Sequence, residues 1–186
     1  MTETAVTSAA YDQIAASYAA RQGLDDTMDA TRRRFAARLA PGARVLDIGC
    51  GPAHDTAALR QLGLHAIGID RSRGMLAQAR SRAAPALLLG DMRRLPVREA
   101  AFDGLWACAS FLHIPQRDAP EVLREFGRVL RPGGALFIGV KQGQGERWVE
   151  HKGGQQRFFA FYQEQQLDAL LDSAGFVVGE GWVEAD

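Results

Sequence analysis

Short apolar runs alternate along this chain with stretches in which apolar residues recur every three or four positions. The runs mark strands and the recurring pattern marks amphipathic helices. Their alternation predicts an α/β fold with a mostly parallel sheet. Two helical stretches come first, near 9–20 and 25–39, and Pro41-Gly42 breaks the second. A strand at Arg44-Val45-Leu46-Asp47-Ile48 then runs into Gly49-Cys50-Gly51-Pro52 and a helix near 53–62. A second strand covers 66–70 and ends on Asp70. Ser72 suits the N-cap of a helix that buries Met75, Leu76 and Ala79 on one face.

A third strand follows at 86–89, and a fourth starts at Phe102 and includes Leu105-Trp106-Ala107. The next helix opens at Asp118 or Ala119, carries Val122, Phe126, Val129 and Leu130 as its stripe, and stops at Pro132-Gly133-Gly134. Strand 5 is placed at 135–140, followed by a polar connection over 142–156. The last helix carries Leu167, Leu170 and Leu171, with Gly175 as its left-handed cap, and a final strand begins at Phe176-Val177-Val178. Nothing of linker character interrupts this order, so a single domain over 1–186 is expected, with helices over 1–40 and an α/β core over 41–186.

Charge changes the picture by exclusion. The 186 residues carry 22 Lys+Arg and 22 Asp+Glu, a formal net charge of zero. No long-range field then draws in nucleic acid or an anionic membrane, and a small-molecule partner is favoured. The two cysteines, Cys50 and Cys108, lack metal-type spacing and read as small packing residues; no metal is expected. The first residues show no basic start followed by an apolar run, and the apolar stretches are strand-sized, so a cytoplasmic location is expected. Arg32-Arg33-Arg34 reads as a solvated helix face and Trp106 as core, while Trp148 and Trp182 are placed at a pocket or an interface.

The candidate chemistry lies in the glycine turn after strand 1. Glycine allows positive φ and close backbone approach, and the carboxyl end of the strands is where open α/β sheets bind ligands. Asp70 falls roughly 20 residues on, where a ribose-reading carboxylate belongs. These features admit both NAD and S-adenosylmethionine. Three details favour the second. The third glycine of the dinucleotide pattern is replaced by the run Pro52-Ala53-His54. Asp47, just before the glycines, would repel a pyrophosphate but suits an amino group. A second acidic turn, Gly90-Asp91-Met92, offers an acceptor and a thioether face to adenine.

Taken in order, Tyr11-Asp12-Gln13-Ile14-Ala15 with Tyr18, Leu46-Asp47-Ile48-Gly49-Cys50-Gly51-Pro52, Gly68-Ile69-Asp70, Gly90-Asp91-Met92, Phe102-Asp103, Ser110-Phe111-Leu112-His113, Val129–Gly134 and Ala174-Gly175-Phe176 with Leu167–Leu171 resemble the class I S-adenosylmethionine-dependent methyltransferases, especially their small-molecule branch. The resemblance covers nearly the whole chain and implies a Rossmann-like α/β fold with helices on both faces. It implies that Asp47, Gly49, Cys50 and Gly51 surround the methionine part of the cofactor. Asp70 would hold the ribose, with Arg71 and Met75 beside the adenosine and Asp91 and Met92 at the adenine. Backbone at Cys108 and Ala109 would lie near the sulfonium, and Tyr11 and Tyr18 would belong to an N-terminal lid; a packing role fits their seven-residue spacing equally well.

His113, after strand 4, is the candidate general base, with a packed loop histidine as the other reading. The implied reaction is in-line methyl transfer to an unidentified small-molecule acceptor, with S-adenosylhomocysteine as product. A domain that binds the cofactor without catalysis is the alternative, and an NAD-dependent oxidoreductase a more distant one. One departure from the family is expected: its seventh strand is missing, leaving a depleted sheet edge that a homodimer partner would cover.

Overall fold

The computed structural model describes residues 1–21, 28–80, 86–150 and 154–183. The first strand, β1 (Arg44–Ile48), is buried at four of its five residues, and it lies in the middle of a five-stranded parallel sheet. Its neighbours are β2 (His65–Asp70), aligned from Arg44 opposite His65 to Ile48 opposite Ile69, and β4 (Phe102–Cys108), aligned from Val45 opposite Gly104. The outer strands are β3 (Leu87–Leu89) beside β2 and β5 (Leu130–Gly139) beside β4. A central parallel strand must be apolar on both faces, which is why β1 reads as a continuous run.

Helices cover both faces. On one, α5 (Ala119–Val129) and α6 (Glu164–Ser173) pack Val122, Leu123, Phe126 and Leu170 against Leu46, Ile48 and Leu105. On the other, α2 (Asp29–Ala36) and α3 (His54–Gln61) bring Phe35 and Leu59 onto Val45 and Trp106. Trp106 is fully buried, stacked on Phe137 with ring centroids 4.1 Å apart and met edge-on by Phe35 at 5.3 Å. The core placement expected for this tryptophan is correct.

The remaining helices lie at the carboxyl end of the sheet. Ser72 caps α4 (Arg73–Arg80) by accepting the Met75 backbone N–H on its hydroxyl at 3.0 Å. Across it runs α1 (Glu3–Arg21), longer than the expected 9–20 and buried along Thr4, Thr7, Ala10, Ile14 and Ala19. Asp12 of α1 accepts hydrogen bonds from the Ser72 hydroxyl at 2.6 Å and the Gly74 N–H at 2.7 Å. The helices approach so closely that a Cβ on Gly74 would sit 2.8 Å from the Asp12 carbonyl oxygen. The expected second helix, 25–39, is found as Asp29–Ala36, and its first residues, 25–27, lie outside the described residues.

Three expectations need correction. The connection at 142–156 is not plain loop: β6 (Glu146–Glu150) pairs antiparallel with β7 (Gln156–Ala160), Trp148 opposite Phe158, in a separate two-stranded sheet. Glu146, Arg147 and Glu150 give β6 a polar character that hides its strand pattern. Second, α5 ends at Val129 and β5 starts at once, so Pro132-Gly133-Gly134 lie in an irregularity between the Phe102–Leu130 and Gly104–Ala135 pairs. Third, no strand forms at 176–178. Gly175 caps α6 at φ +85°, with the Phe176 N–H bonded to the Leu171 carbonyl at 3.0 Å, as expected. Beyond it Val177 is 94% exposed, while Trp182 leans on Phe137 at 6.1 Å under the Arg34 guanidinium. Among the described residues the outer edge of β5 has no strand partner, which agrees with the expected depleted edge.

Candidate active site

A cavity of about 570 Å³ opens at the carboxyl ends of β1, β2 and β4, under α1. That size is ordinary for a small-molecule or cofactor site. Every one of the sequence-predicted residues Tyr11, Tyr18, Asp47, Gly49, Cys50, Gly51, Asp70, Arg71, Met75, Asp91, Met92, Cys108, Ala109 and His113 lines it.

The glycine turn forms the floor. Gly49 has φ +73°, and a Cβ there would lie 2.3 Å from the Ser110 Cβ, so only glycine fits. Ser110 is held against the turn by its hydroxyl, which donates to the Ile48 carbonyl at 2.6 Å. Gly51 has φ +52° and no protein atom within 4 Å of where a Cβ would be, leaving its outer side open. Asp70 closes the turn from β2: one carboxylate oxygen accepts the Gly51 N–H at 2.8 Å, the other the Ser72 N–H at 2.7 Å. A carboxylate has about four acceptor positions, and the Arg71 backbone N–H also acts on this one, so at least one position remains for a ligand's hydroxyl. Burial raises the Asp70 carboxyl above its ordinary value, by more than the backbone donors lower it.

At one end lies Asp47, 2% exposed, which accepts a hydrogen bond from the Thr56 hydroxyl. Burial, then repulsion from the Asp55 carboxylate, pushes its carboxyl well above the usual range. A cationic group placed beside it would relieve both effects. Arg32 of α2 reaches the same end, 8% exposed, its guanidinium donating to Asp55 at 2.8 Å. Asp55 also accepts the Trp106 indole N–H at 2.8 Å. Arg32 thus departs from the solvated face expected for the arginine run. Arg33 pairs within its helix with Asp29, and only the direction of α2 separates the buried arginine from its neighbours.

At the other end, Asp91 is saturated. Its oxygens accept the Arg93 backbone N–H at 3.0 Å, the Arg93 side chain at 3.1 and 2.7 Å, and Arg71 at 2.8 Å. Burial alone would raise this carboxyl; the Arg93 and Arg71 cations outweigh it and hold it low. Arg71 continues to the Thr4 hydroxyl of α1 at 3.0 Å. Met92 and Met75 supply the apolar lining nearby.

The roof joins three elements. Tyr11 and Tyr18 of α1 meet edge-on at 5.6 Å, so packing and cavity lining are combined in the same pair. The Tyr11 hydroxyl lies 2.8 Å from His113 Nε2, on the short 3-10 turn Phe111–His113, and accepts from Arg157 of β7 at 3.0 Å. His113 Nδ1 lies 2.7 Å from the Phe158 carbonyl oxygen. Burial drives the His113 ring down to about 4, the Arg157 charge adding to the fall and the Phe158 carbonyl opposing it. Trp148 and Trp182 are not among the lining residues, and Cys50 is a buried packing residue whose thiol burial pushes up. Among the described residues no helix is long and apolar enough to cross a membrane, and no cluster of ligating side chains fits a metal.

With this geometry in place, comparison with known proteins defines the class. Residues 45–134 match the model of a methyltransferase domain. Over 105 residues the chain is 42% identical to the methyltransferase GfsG of Streptomyces halstedii, covering 52% of this chain and 37% of that protein. Over 153 residues it is 33% identical to the malonyl-[acyl-carrier protein] O-methyltransferase of Serratia marcescens, covering 75% of this chain and 59% of that protein. The chain therefore spans 37% and 59% of the length of these two relatives, less than two thirds of each. The fold is shared with the 1,6-didemethyltoxoflavin-N1-methyltransferase of Burkholderia thailandensis, at TM-score 0.74 and 23% identity, over 91% of this chain and 76% of that one. The chain belongs to the class I S-adenosylmethionine-dependent methyltransferases.

The residues present fit that family's cofactor. A buried carboxylate with a spare acceptor position, a glycine open on its outer side, and an acid and a base at the far end match a ribose, a thioether chain and an amino-acid head group.

Proposed function

We propose that the chain transfers a methyl group from S-adenosylmethionine to a small-molecule acceptor held under α1. The observation that carries this reading is that Tyr11 and His113 line the same cavity as the glycine turn and Asp70. An acceptor beneath the roof would then share one enclosure with the cofactor. The Serratia relative's name, an O-methyltransferase, is in keeping with an oxygen acceptor.

Bound there, S-adenosylmethionine supplies a methyl group activated by its sulfonium. The protein's part is to place the partners and exclude water, which in favourable systems is worth about 7–11 kcal/mol of barrier. In this reading Asp70 accepts from a ribose hydroxyl, and Arg71 and Met75 flank the adenosine. Asp47 and Arg32 face the amino and carboxylate groups of the methionine part, beside Gly49, Cys50 and Gly51. The backbone at Cys108 and Ala109 lies by the sulfur, Met92 packs on the adenine, and Tyr11 and Tyr18 roof the site. Asp91 reaches the adenine amino group only if Arg71 releases its oxygen, because all four acceptor positions are taken.

The test is formation of S-adenosylhomocysteine from S-adenosylmethionine over a panel of small hydroxyl, amine and thiol compounds. Acceptor-dependent product supports the proposal. Tight cofactor binding with no turnover on any of them points instead to a binding domain without catalysis.

A further inference from the structure

His113 is not free to meet an acceptor directly. Its Nδ1 faces a backbone carbonyl, which only accepts, so the ring proton sits on Nδ1. Nε2 is then the bare nitrogen, and the Tyr11 hydroxyl donates to it. The Tyr11 oxygen in turn accepts from Arg157, leaving one acceptor position, and Tyr11 is among the residues that line the cavity. The hydrogen bonds run in one direction: Arg157 to Tyr11 to His113 to the Phe158 carbonyl.

Arg157 is unusual in this setting. Its guanidinium stands 5.3 Å from the Tyr11 ring centroid and 5.4 Å from that of Phe159, its Nε is buried without a hydrogen-bond partner, and among the described residues no carboxylate pairs with it. Burial raises the Tyr11 hydroxyl above its ordinary value, and the Arg157 cation beside the oxygen offsets part of that, favouring charge that builds on it during a transfer.

We propose that the Tyr11 hydroxyl oxygen, not His113, takes the acceptor's proton as Tyr11's own proton passes to His113 Nε2, with Arg157 holding that oxygen while the two transfers run together. The proposal rests on the methyl-transfer reading. The acceptor's lone pair forms the new bond to carbon and the carbon–sulfur pair remains on sulfur. The acceptor's proton passes to Tyr11 as Tyr11's proton passes to Nε2. The resulting imidazolium returns its proton to water once the product has left. Tyr11 is then the catalytic residue, and His113 and Arg157 act through it.

The test reads the ring nitrogens of His113 by two-bond proton–nitrogen correlation, in the free protein and with S-adenosylhomocysteine. The wild type is compared with Tyr11→Phe and Arg157→Met. The groups facing the pair are Arg157 on β7, Asp70 at the end of β2 and Tyr18 on α1, and Asp70 and Tyr18 are left in place. The wild type should carry its proton on Nδ1 and titrate at about 4. In Tyr11→Phe the neutral ring loses its donor and the imidazolium loses the oxygen that Nε2–H would donate to, so the titration should move from the wild-type value. Arg157→Met should raise it, by removing a neighbouring cation.

A wild-type proton on Nε2, or a titration unmoved in Tyr11→Phe, would overturn the relay. The tautomer alone decides if a variant fails to fold. Should the wild type fail to bind S-adenosylhomocysteine, the methyl-transfer reading falls, while the His113 signals in the free protein still report on the relay's geometry.

Discussion

Replacing Asp70 by asparagine separates its two roles. Both carboxylate oxygens accept backbone N–H groups, from Ser72 at 2.7 Å and Gly51 at 2.8 Å. An amide has one accepting oxygen, so its NH₂ must face a backbone donor. The turn then loses one hydrogen bond to a charged group, worth about 1.5–3 kcal/mol. Relief of a buried charge, whose cost is evident in the raised Asp70 carboxyl, offsets part of that. The net loss of stability should be about 1–2 kcal/mol, read by urea denaturation. Cofactor affinity should fall further, because a ribose hydroxyl also loses a charged acceptor: about 1.5–3 kcal/mol, or roughly 10- to 150-fold. Calorimetric titration with S-adenosylhomocysteine checks this. If Asp70→Asn loses stability yet binds within threefold of the wild type, Asp70 serves only the turn and the ribose assignment is wrong.

Three further outcomes follow from the same cavity. Asp47→Asn should stabilise the free protein by about 0.5–2 kcal/mol at pH 8 while weakening S-adenosylhomocysteine binding. The folded Asp47 carboxyl is raised, so the folded wild type holds more protons than the unfolded chain above about pH 3.9, and loses stability as pH rises through the folded value. The advantage of Asn should therefore shrink toward pH 4, and urea midpoints that differ equally at pH 8 and pH 5 would count against it. Arg32→Met should weaken S-adenosylhomocysteine roughly tenfold or more but leave 5′-methylthioadenosine, which lacks the amino-acid head, unaffected in competition binding. Equal losses for both ligands would remove Arg32 from the carboxylate. Gly49→Ala should abolish binding and lower the thermal midpoint, since its Cβ would collide with Ser110; an unchanged midpoint would show that the turn relaxes.

The parts of the fold legible in the sequence are those where one local rule is enough. The Val45–Ile48 run, the Gly49 and Gly51 turn, the Ser72 cap and the Gly175 cap each depend on a residue's own backbone or side-chain chemistry, and each stands where it was placed. What was hidden depends on distant packing. Arg32, Arg33 and Arg34 are indistinguishable as letters, and only the seat of α2 beside α3 makes Arg32 a cavity residue. The β6–β7 hairpin was masked by charges on β6, although the run Phe158-Phe159-Ala160-Phe161-Tyr162 was a usable signal for β7, with Arg157 at its start. The apolar run at Phe176-Val177-Val178 looks like a strand, yet only Phe176 reaches the core and Val177 stays in solvent.

The most direct test of the central claim is calorimetry of the chain with S-adenosylhomocysteine and, separately, NAD. The account predicts one-site binding of S-adenosylhomocysteine in the micromolar range or tighter and no heat with NAD. Binding of NAD without S-adenosylhomocysteine would contradict it.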